Sequence, residues 1–226
     1  MGWSGRATGV NWTQVGERAM KRIWGGQDNR LRLGKPGETK QQTIGSSRVS
    51  VGRFTYGYEH AEVYQWGEGA DLEIGSFCSI GGGLRVYLGG NHRTDWVTTF
   101  PFGHVFRDSL GEFDIEGHPG SKGDVIIGHD VWIGANVTLL SGARIGHGAV
   151  IGTNATVAGE VGTYEIVGGN PARHLKHRFD EAIRQRLLEL AWWDQPLEVI
   201  RRIAPMLSVA PDLEMLDRVA DVIAQG

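Results

Sequence analysis

The sequence predicts a mainly β fold, a solenoid of short parallel strands interrupted by an excursion loop and followed by a helical tail. Three observations carry this reading. An apolar residue returns every six positions at Ile127, Ile133, Leu139, Ile145, Ile151 and Val157, and glycine directly follows four of them. Glycine supplies 35 of the 226 residues, about twice its usual share, with few prolines and no Gly-X-Y period that would indicate collagen. Beyond Pro171 the apolar spacing changes to a helical one at Phe179, Ile183, Leu187 and Leu190.

A six-residue period matches neither the 3.6 of an amphipathic helix nor the 2 of an alternating strand. It matches a coil of strands that turn at glycine-tolerant corners and point one apolar residue per hexad inward. The fourth residue after each of these is small or branched (Val131, Val137, Ala143, Ala149, Ala155, Val161), as a narrow close-packed interior requires. Three hexads close a coil of 18 residues, and coils stack as parallel strands ~4.8 Å apart. The spacing leaves the handedness of the coil open.

Taken in order, residues 1–43 form an N-terminal extension, and 44–171 the solenoid, whose first hexads are Ile44-Gly45 and Val51-Gly52. Residues 57–71 lack hexads and read as an excursion, after which Ile74-Gly75, Ile80-Gly81 and Val86 resume the rule. The main excursion loop spans 92–126 and is rich in aromatic and charged residues, the kind of long loop on a rigid scaffold that often carries function. Residues 172–226 form the helical tail that caps the open end, with Asp180 as an N-cap and Leu213, Leu216, Val219 and Ile223 on one face of a later helix.

Composition narrows the function. A net charge of −3 and a pI near 6.2 argue against a nucleic-acid binder or a polybasic membrane-surface protein. With 40% hydrophobic and 22% charged residues, the chain is globular rather than disordered. The single cysteine, Cys78, cannot form an internal disulfide and reads as a small wall residue. The first residues lack the pattern of a secretory signal, and no apolar run reaches the ~18 residues of a membrane span. A cytoplasmic location is expected.

The string GDVIIGHDVWIGANVTLLSGARIGHGAVIGTNATVAGEVGTYEIVGGNPARHLKHRF at 123–179, the excursion GGNHRTDWVTTFPF at 89–102 and the tail AWWDQP together resemble the hexapeptide-repeat acyltransferases. The resemblance is strongest to their xenobiotic acetyltransferase branch, which includes type B chloramphenicol and streptogramin acetyltransferases, and covers roughly 44–196. It implies a left-handed parallel β-helix, a homotrimer with active sites between neighbouring subunits, acetyl-CoA as donor without a metal, and a small-molecule acceptor hydroxyl. It also implies that the excursion histidine, His92, acts as general base, a task that suits an imidazole titrating near ~6.5.

Coenzyme A needs a smooth groove for its pantetheine arm and cationic or N–H donors for its phosphates. Ala135, Thr153 and Pro171 are 18 apart and are expected to stack, with Gly152 and Asn170 in the neighbouring column. Arg173, His174, Lys176, His177 and Arg178 follow at once, and the resemblance places this stretch and Trp132 on the cofactor. A solvated helix start is the plain alternative for the basic cluster. For the acceptor, the resemblance places Tyr56 in contact. Trp96, Phe100, Pro101 and Phe102 make the loop apolar, and Asp95 is a candidate to orient His92 or touch the acceptor.

The acceptor class stays open between a hydroxylated antibiotic and a sugar, with an amine as a further option. Two alternatives of other kinds stand beside the transferase. His129, His147 and Glu165 are also 18 apart, a set that would suit a metal-dependent hydratase of the γ-carbonic-anhydrase type. A non-catalytic solenoid used for binding is the third.

Overall fold

The computed structural model describes residues 29–32 and 34–226; of the extension predicted for 1–43, residues 1–28 and 33 lie outside these. The coil begins with the antiparallel hairpin of β1 (Lys40–Ile44) and β2 (Ser47–Val51), followed by β3 (Glu62–Tyr64). The second coil is β4 (Leu72–Ile74), β5 (Ser79–Ile80) and β6 (Arg85–Tyr87). An excursion carrying the short α1 (Arg107–Leu110) leads to the third coil, β7 (Val125–Ile127), β8 (Trp132–Ile133) and β9 (Thr138–Leu139). The fourth is β10 (Arg144–Ile145), β11 (Val150–Ile151) and β12 (Thr156–Val157), and the last is β13 (Glu160–Val161), β14 (Glu165–Gly168) and the antiparallel β15 (Arg173–His177).

These strands build three walls of a prism: β1-β2-β4-β7-β10-β13, β12-β9-β6-β3, and β15-β14-β11-β8-β5. Within the walls, strands of successive coils pair in parallel from β2 onward. The inward residues are those of the hexads. Ile127, Ile133, Leu139, Ile145, Ile151 and Val157 are buried, as are the small partners Val131, Val137, Ala143, Ala149 and Ala155. The corners leave no room for a side chain: a Cβ on Gly75 would lie 2.4 Å from the carbonyl oxygen of Gly128 one coil below.

Beyond the main excursion the register departs from the expected 18 at one turn. Arg144 pairs with Ile126, 18 residues back, but with Glu160, only 16 ahead. The cause is the turn: two residues separate β12 from β13, where four separate β9 from β10. Every column projected across this point is corrected by two residues. Gly152 donates its N–H to Val167 and stands over Gly168, not Asn170, so neither that column nor Thr153 over Pro171 exists. The same shift takes Glu165 out from under His147, and Glu165 instead accepts from His174 Nδ1 (2.7 Å) and the Gly162 N–H.

Three other boundaries differ from expectation. Residues 57–71 are not wholly an excursion, because Val63 points inward between the outward Glu62 and Tyr64 and β3 completes a coil. The main excursion ends before Val125, since Val125 and Ile126 belong to β7. The basic stretch 173–177 is a strand, not the start of the tail: it pairs with β14 and covers the edge that β14 would otherwise expose.

The tail comprises α2 (Glu181–Leu190), α3 (Leu197–Leu207) and α4 (Leu213–Ala224). Asp180 caps α2 by accepting from the Ile183 N–H, and Asp212 caps α4 through Met215. Ile183, Leu187, Leu190, Val199, Ile203 and Leu216 close on Tyr164 from the last coil. Between α2 and α3, Trp192 and Trp193 lie on the flank of the prism. Trp192 packs on Phe77, and Trp193 stacks over both His129 (5.5 Å) and His147 (4.9 Å). Arg53 donates to the carbonyls of Trp193 and Gln195.

The two histidines are acceptors. The Ser76 N–H donates to His129 Nδ1 (2.8 Å) and the His129 N–H to His147 Nδ1 (3.0 Å). A backbone N–H has only a proton to offer, so both imidazoles must be unprotonated at Nδ1. Burial lowers the pKa of each, the neighbouring His147 adding to the effect at His129 and Asp194 opposing it at both. A group whose pKa falls on folding is protonated more readily in the unfolded chain, so stability is lost as pH drops below the unfolded histidine value near ~6.5. The melting temperature is expected to fall between about pH 7 and pH 5. The double substitution His129→Asn and His147→Asn keeps an acceptor oxygen without a titration and should flatten that fall; an unchanged slope would refute the assignment.

Candidate active site

The excursion is closed at its neck. Asn91 and Gly120 exchange both backbone hydrogen bonds (2.9 and 2.8 Å), the Asn91 amide donates to Ser141 Oγ, and Ser121 Oγ donates to the Leu88 carbonyl. The next residue, His92, is exposed on this anchored base. Its Nδ1 lies 2.7 Å from the carbonyl oxygen of Thr99. A carbonyl can only accept, so Nδ1 carries the proton of the neutral ring and Nε2 keeps its lone pair. That is the tautomer a general base requires.

Asp95 does not orient this ring. Both of its carboxylate oxygens are taken by Arg93, one at 2.7 Å from Nε, and the guanidinium holds the carboxyl down to about 2. Arg93 also lies over the Trp96 ring at 5.1 Å. The bidentate pair joins two side chains two residues apart in the loop.

His92 lines a cavity of about 390 Å³ with Trp66, Pro101, His104, Val105, Arg107 and His118. The Trp96 ring lies 6.1 Å from that of the lining residue His118. Phe102, next to the lining residue Pro101, is exposed and packs edge to face with Phe100 at 4.8 Å. Tyr56 is elsewhere: it bridges to Ser79 on the third wall, 64% exposed, in the same outward column as Trp132, 59% exposed. Within one chain, His92 and the Tyr56–Trp132 face therefore occupy different sides of the prism.

The cofactor candidates divide as well. Trp132 and Lys176 share the outer face of the third wall, through the pairings of Trp132 with Val150, Val150 with Ile166, and Ile166 with Lys176. Arg173 lies at the other end of the exposed strand β15, and Asn170 and Pro171 form the turn before it. Gly152 and Thr153 lie at the corner between β11 and β12. These residues leave an open, cationic edge beside an exposed indole. Arg178 does not belong to it. Its guanidinium donates to Asp130 (3.2 Å) and to the Gly148 carbonyl (2.8 Å) and lies over the rings of Tyr164 and Phe179. Burial pushes the Asp130 carboxyl up, and Arg178 pulls it back.

Cys78 is fully buried, and burial pushes its thiol up to about 11, so it is a wall residue and no nucleophile. The residues missed by pattern are Trp66, His104 and His118. The available signal was modest: two further histidines in the excursion that carries His92.

Residues 124–159 match the family model for bacterial transferase hexapeptides (six repeats). The chain is 40% identical over 184 residues to a chloramphenicol acetyltransferase of Escherichia coli, covering 76% of this chain and 87% of that protein. It is 37% identical over 187 residues to a virginiamycin A acetyltransferase of Staphylococcus aureus, covering 78% and 84%. A solved hexapeptide-repeat acetyltransferase of Vibrio cholerae in complex with acetyl coenzyme A is 27% identical, covering 60% of this chain and 62% of that one with a TM-score of 0.44.

The division among the basic residues has a measurable consequence. Arg178→Met leaves Asp130 half-buried without its partner and should cost about 2 kcal/mol, a fall of about 4–8 °C in melting temperature for a chain of this length. Lys176→Met, on the open strand, should shift it by no more than ~1 °C. Equal shifts for the two would contradict the structural role of Arg178.

Proposed function

The chain belongs to the xenobiotic acetyltransferase branch of the hexapeptide-repeat acyltransferases, and from that premise we propose that it transfers acetyl from acetyl-CoA to a hydroxyl of a small, antibiotic-like acceptor. The observation that carries the mechanism is the Nδ1–H of His92 held on the Thr99 carbonyl. Nε2 takes the proton of the acceptor hydroxyl as its oxygen attacks the thioester carbonyl. The tetrahedral intermediate collapses with cleavage of the carbon–sulfur bond, and the imidazolium returns the proton to the departing thiolate.

The donor lies along the third wall, its pantetheine arm beside Trp132 and the Gly152–Thr153 corner and its phosphates toward Arg173 and Lys176. The acceptor occupies the cavity beside His92, with Trp96 and Phe102 around it. In this reading the coil is left-handed and the active unit a homotrimer located in the cytoplasm. The excursion exposes Val97, Phe100, Phe102, Phe106 and Phe113, and the third wall exposes Tyr56 and Trp132. Two such apolar surfaces on different sides of one chain favour mutual burial between copies. That arrangement would bring the acceptor contact Tyr56 of one copy toward His92 of the next. The hydratase alternative loses its ligand column, because the 16-residue last coil displaces Glu165 from His129 and His147.

Release of free thiol from acetyl-CoA, with chloramphenicol, virginiamycin A and a panel of sugars, tests the reaction. Turnover is expected with an antibiotic acceptor, and His92→Ala should lower kcat by about 10²- to 10⁴-fold. Full activity of that variant would remove His92 as the base. Sedimentation at micromolar protein should give three copies, and a stable monomer would defeat the shared site.

A further inference from the structure

The excursion that carries His92 leaves the coil through two consecutive glycines, Gly89 and Gly90, the backbone with the most freedom to bend. A brace from another segment closes on this exit. Glu68, in the loop between β3 and β4, uses both carboxylate oxygens: Oε1 accepts from the Gly90 N–H (2.6 Å) and Oε2 from the Trp66 N–H (2.9 Å). A charged acceptor makes these hydrogen bonds of the stronger kind. The first of them joins residues 22 apart in the chain. The Trp66 ring lies against the same glycine, since a Cβ on Gly90 would fall 2.7 Å from its Cε3 and Cζ3 atoms. Trp66 in turn stacks with Tyr87 of β6 (6.3 Å), and Tyr87 with Tyr64 of β3 (4.8 Å), which roots the brace in the second wall. Glu68 has no task in the reaction as described.

We propose that Glu68 is a positioning residue for the general base: it fixes the path of the chain at Gly90 and thereby the place of His92, two residues further on. The inference rests on the acetyltransferase reading above. His92 and Thr99 both belong to the excursion, so their hydrogen bond sets the tautomer of the ring but not where the ring stands against the coil. That placement is decided at the exit. Beyond Leu88, two side chains tie the outgoing chain back: Ser141 Oγ accepts from the Asn91 amide, and Glu68 accepts from the Gly90 N–H. One tether beside a glycine pair leaves a swivel; two define a direction. A general base works over hydrogen-bond distances, so a displacement of about 1 Å at His92 is enough to cost on the order of 10²-fold in rate.

The test pairs amide hydrogen exchange with acetyl transfer in Glu68→Ala and in Glu68→Gln, which keeps one acceptor oxygen for the two N–H groups. In Glu68→Ala the Gly90 and Asn91 amides should exchange at least about tenfold faster. The Gly134 and Gly152 amides, bonded between coils, should keep the parent rate and so report an intact fold. With chloramphenicol, or the panel member that the parent chain turns over fastest, kcat should fall about 10- to 100-fold while KM for acetyl-CoA stays within about twofold. Glu68→Gln should lie between the two. In a His92→Ala background, Glu68→Ala should change the residual rate by less than about twofold, because no base is left to misplace. Unchanged exchange at Gly90, an unchanged kcat, or a loss of equal size in the His92→Ala background overturns the proposal while leaving the transferase standing. Absence of thiol release by the parent chain with chloramphenicol, virginiamycin A and the sugars overturns the transferase reading, and this proposal with it.

Discussion

Backbone contact between neighbouring coils is the constraint on which everything else rests. Parallel strands about 4.8 Å apart bring one corner directly against the next, so the corner of Gly75 has no space for a Cβ above Gly128. The narrow bore that results admits one large apolar residue per hexad and a small one four positions later. That produces a stiff scaffold whose interior is fully occupied by Ile127, Ile133, Leu139 and their equivalents. No chemistry can be housed inside it. Side chains free to meet a ligand are those displayed outward from the walls or on segments that leave the coil, as the proposed site residues His92, Trp132 and Lys176 are.

How much of this was legible in the sequence depended on the range of the interaction. Hexads repeat a local rule many times, so the buried residues from Ile127 to Val157, the wall position of Cys78 and the helix cap at Asp180 followed from spacing. The shortened last coil did not, because it is one event, a two-residue contraction of a single turn after Val157. It displaced every later column at once, including the imagined stacks under Thr153, Gly152 and His147. The strand at 173–177 was hidden for a related reason: its partner is the unpaired edge of β14, a tertiary need with no signature in a run of basic residues.

At the site the legible part was His92, set in a loop string dense enough to be recognised. The hydrogen-bond partner of its ring was not, since a backbone carbonyl at Thr99 has no residue type to betray it. Asp95 was the natural candidate by proximity, yet Arg93 sits nearer and takes both oxygens. Arg178 likewise looked like one more cation in a basic cluster. Its role became visible only once Asp130 and the Gly148 carbonyl, 48 and 30 residues earlier, were seen to converge on it. His118 was missed because its place beside the His92 ring comes from the excursion folding back across 26 residues, which no spacing in the sequence records.

Two reversed strands mark opposite ends of the stack. A wall of parallel strands is a template that a further copy of the same chain can extend, and nothing in the hexad rule itself says where to stop. Here β1 runs antiparallel to β2 at one end of the first wall, and β15 runs antiparallel to β14 at the opposite end of the third. At each of these two edges the parallel order of the walls gives way to an antiparallel pair. The periodic rung is thus broken by the chain's own hairpins at two corners of the stack, and elsewhere the helical tail closes on Tyr164 of the last coil.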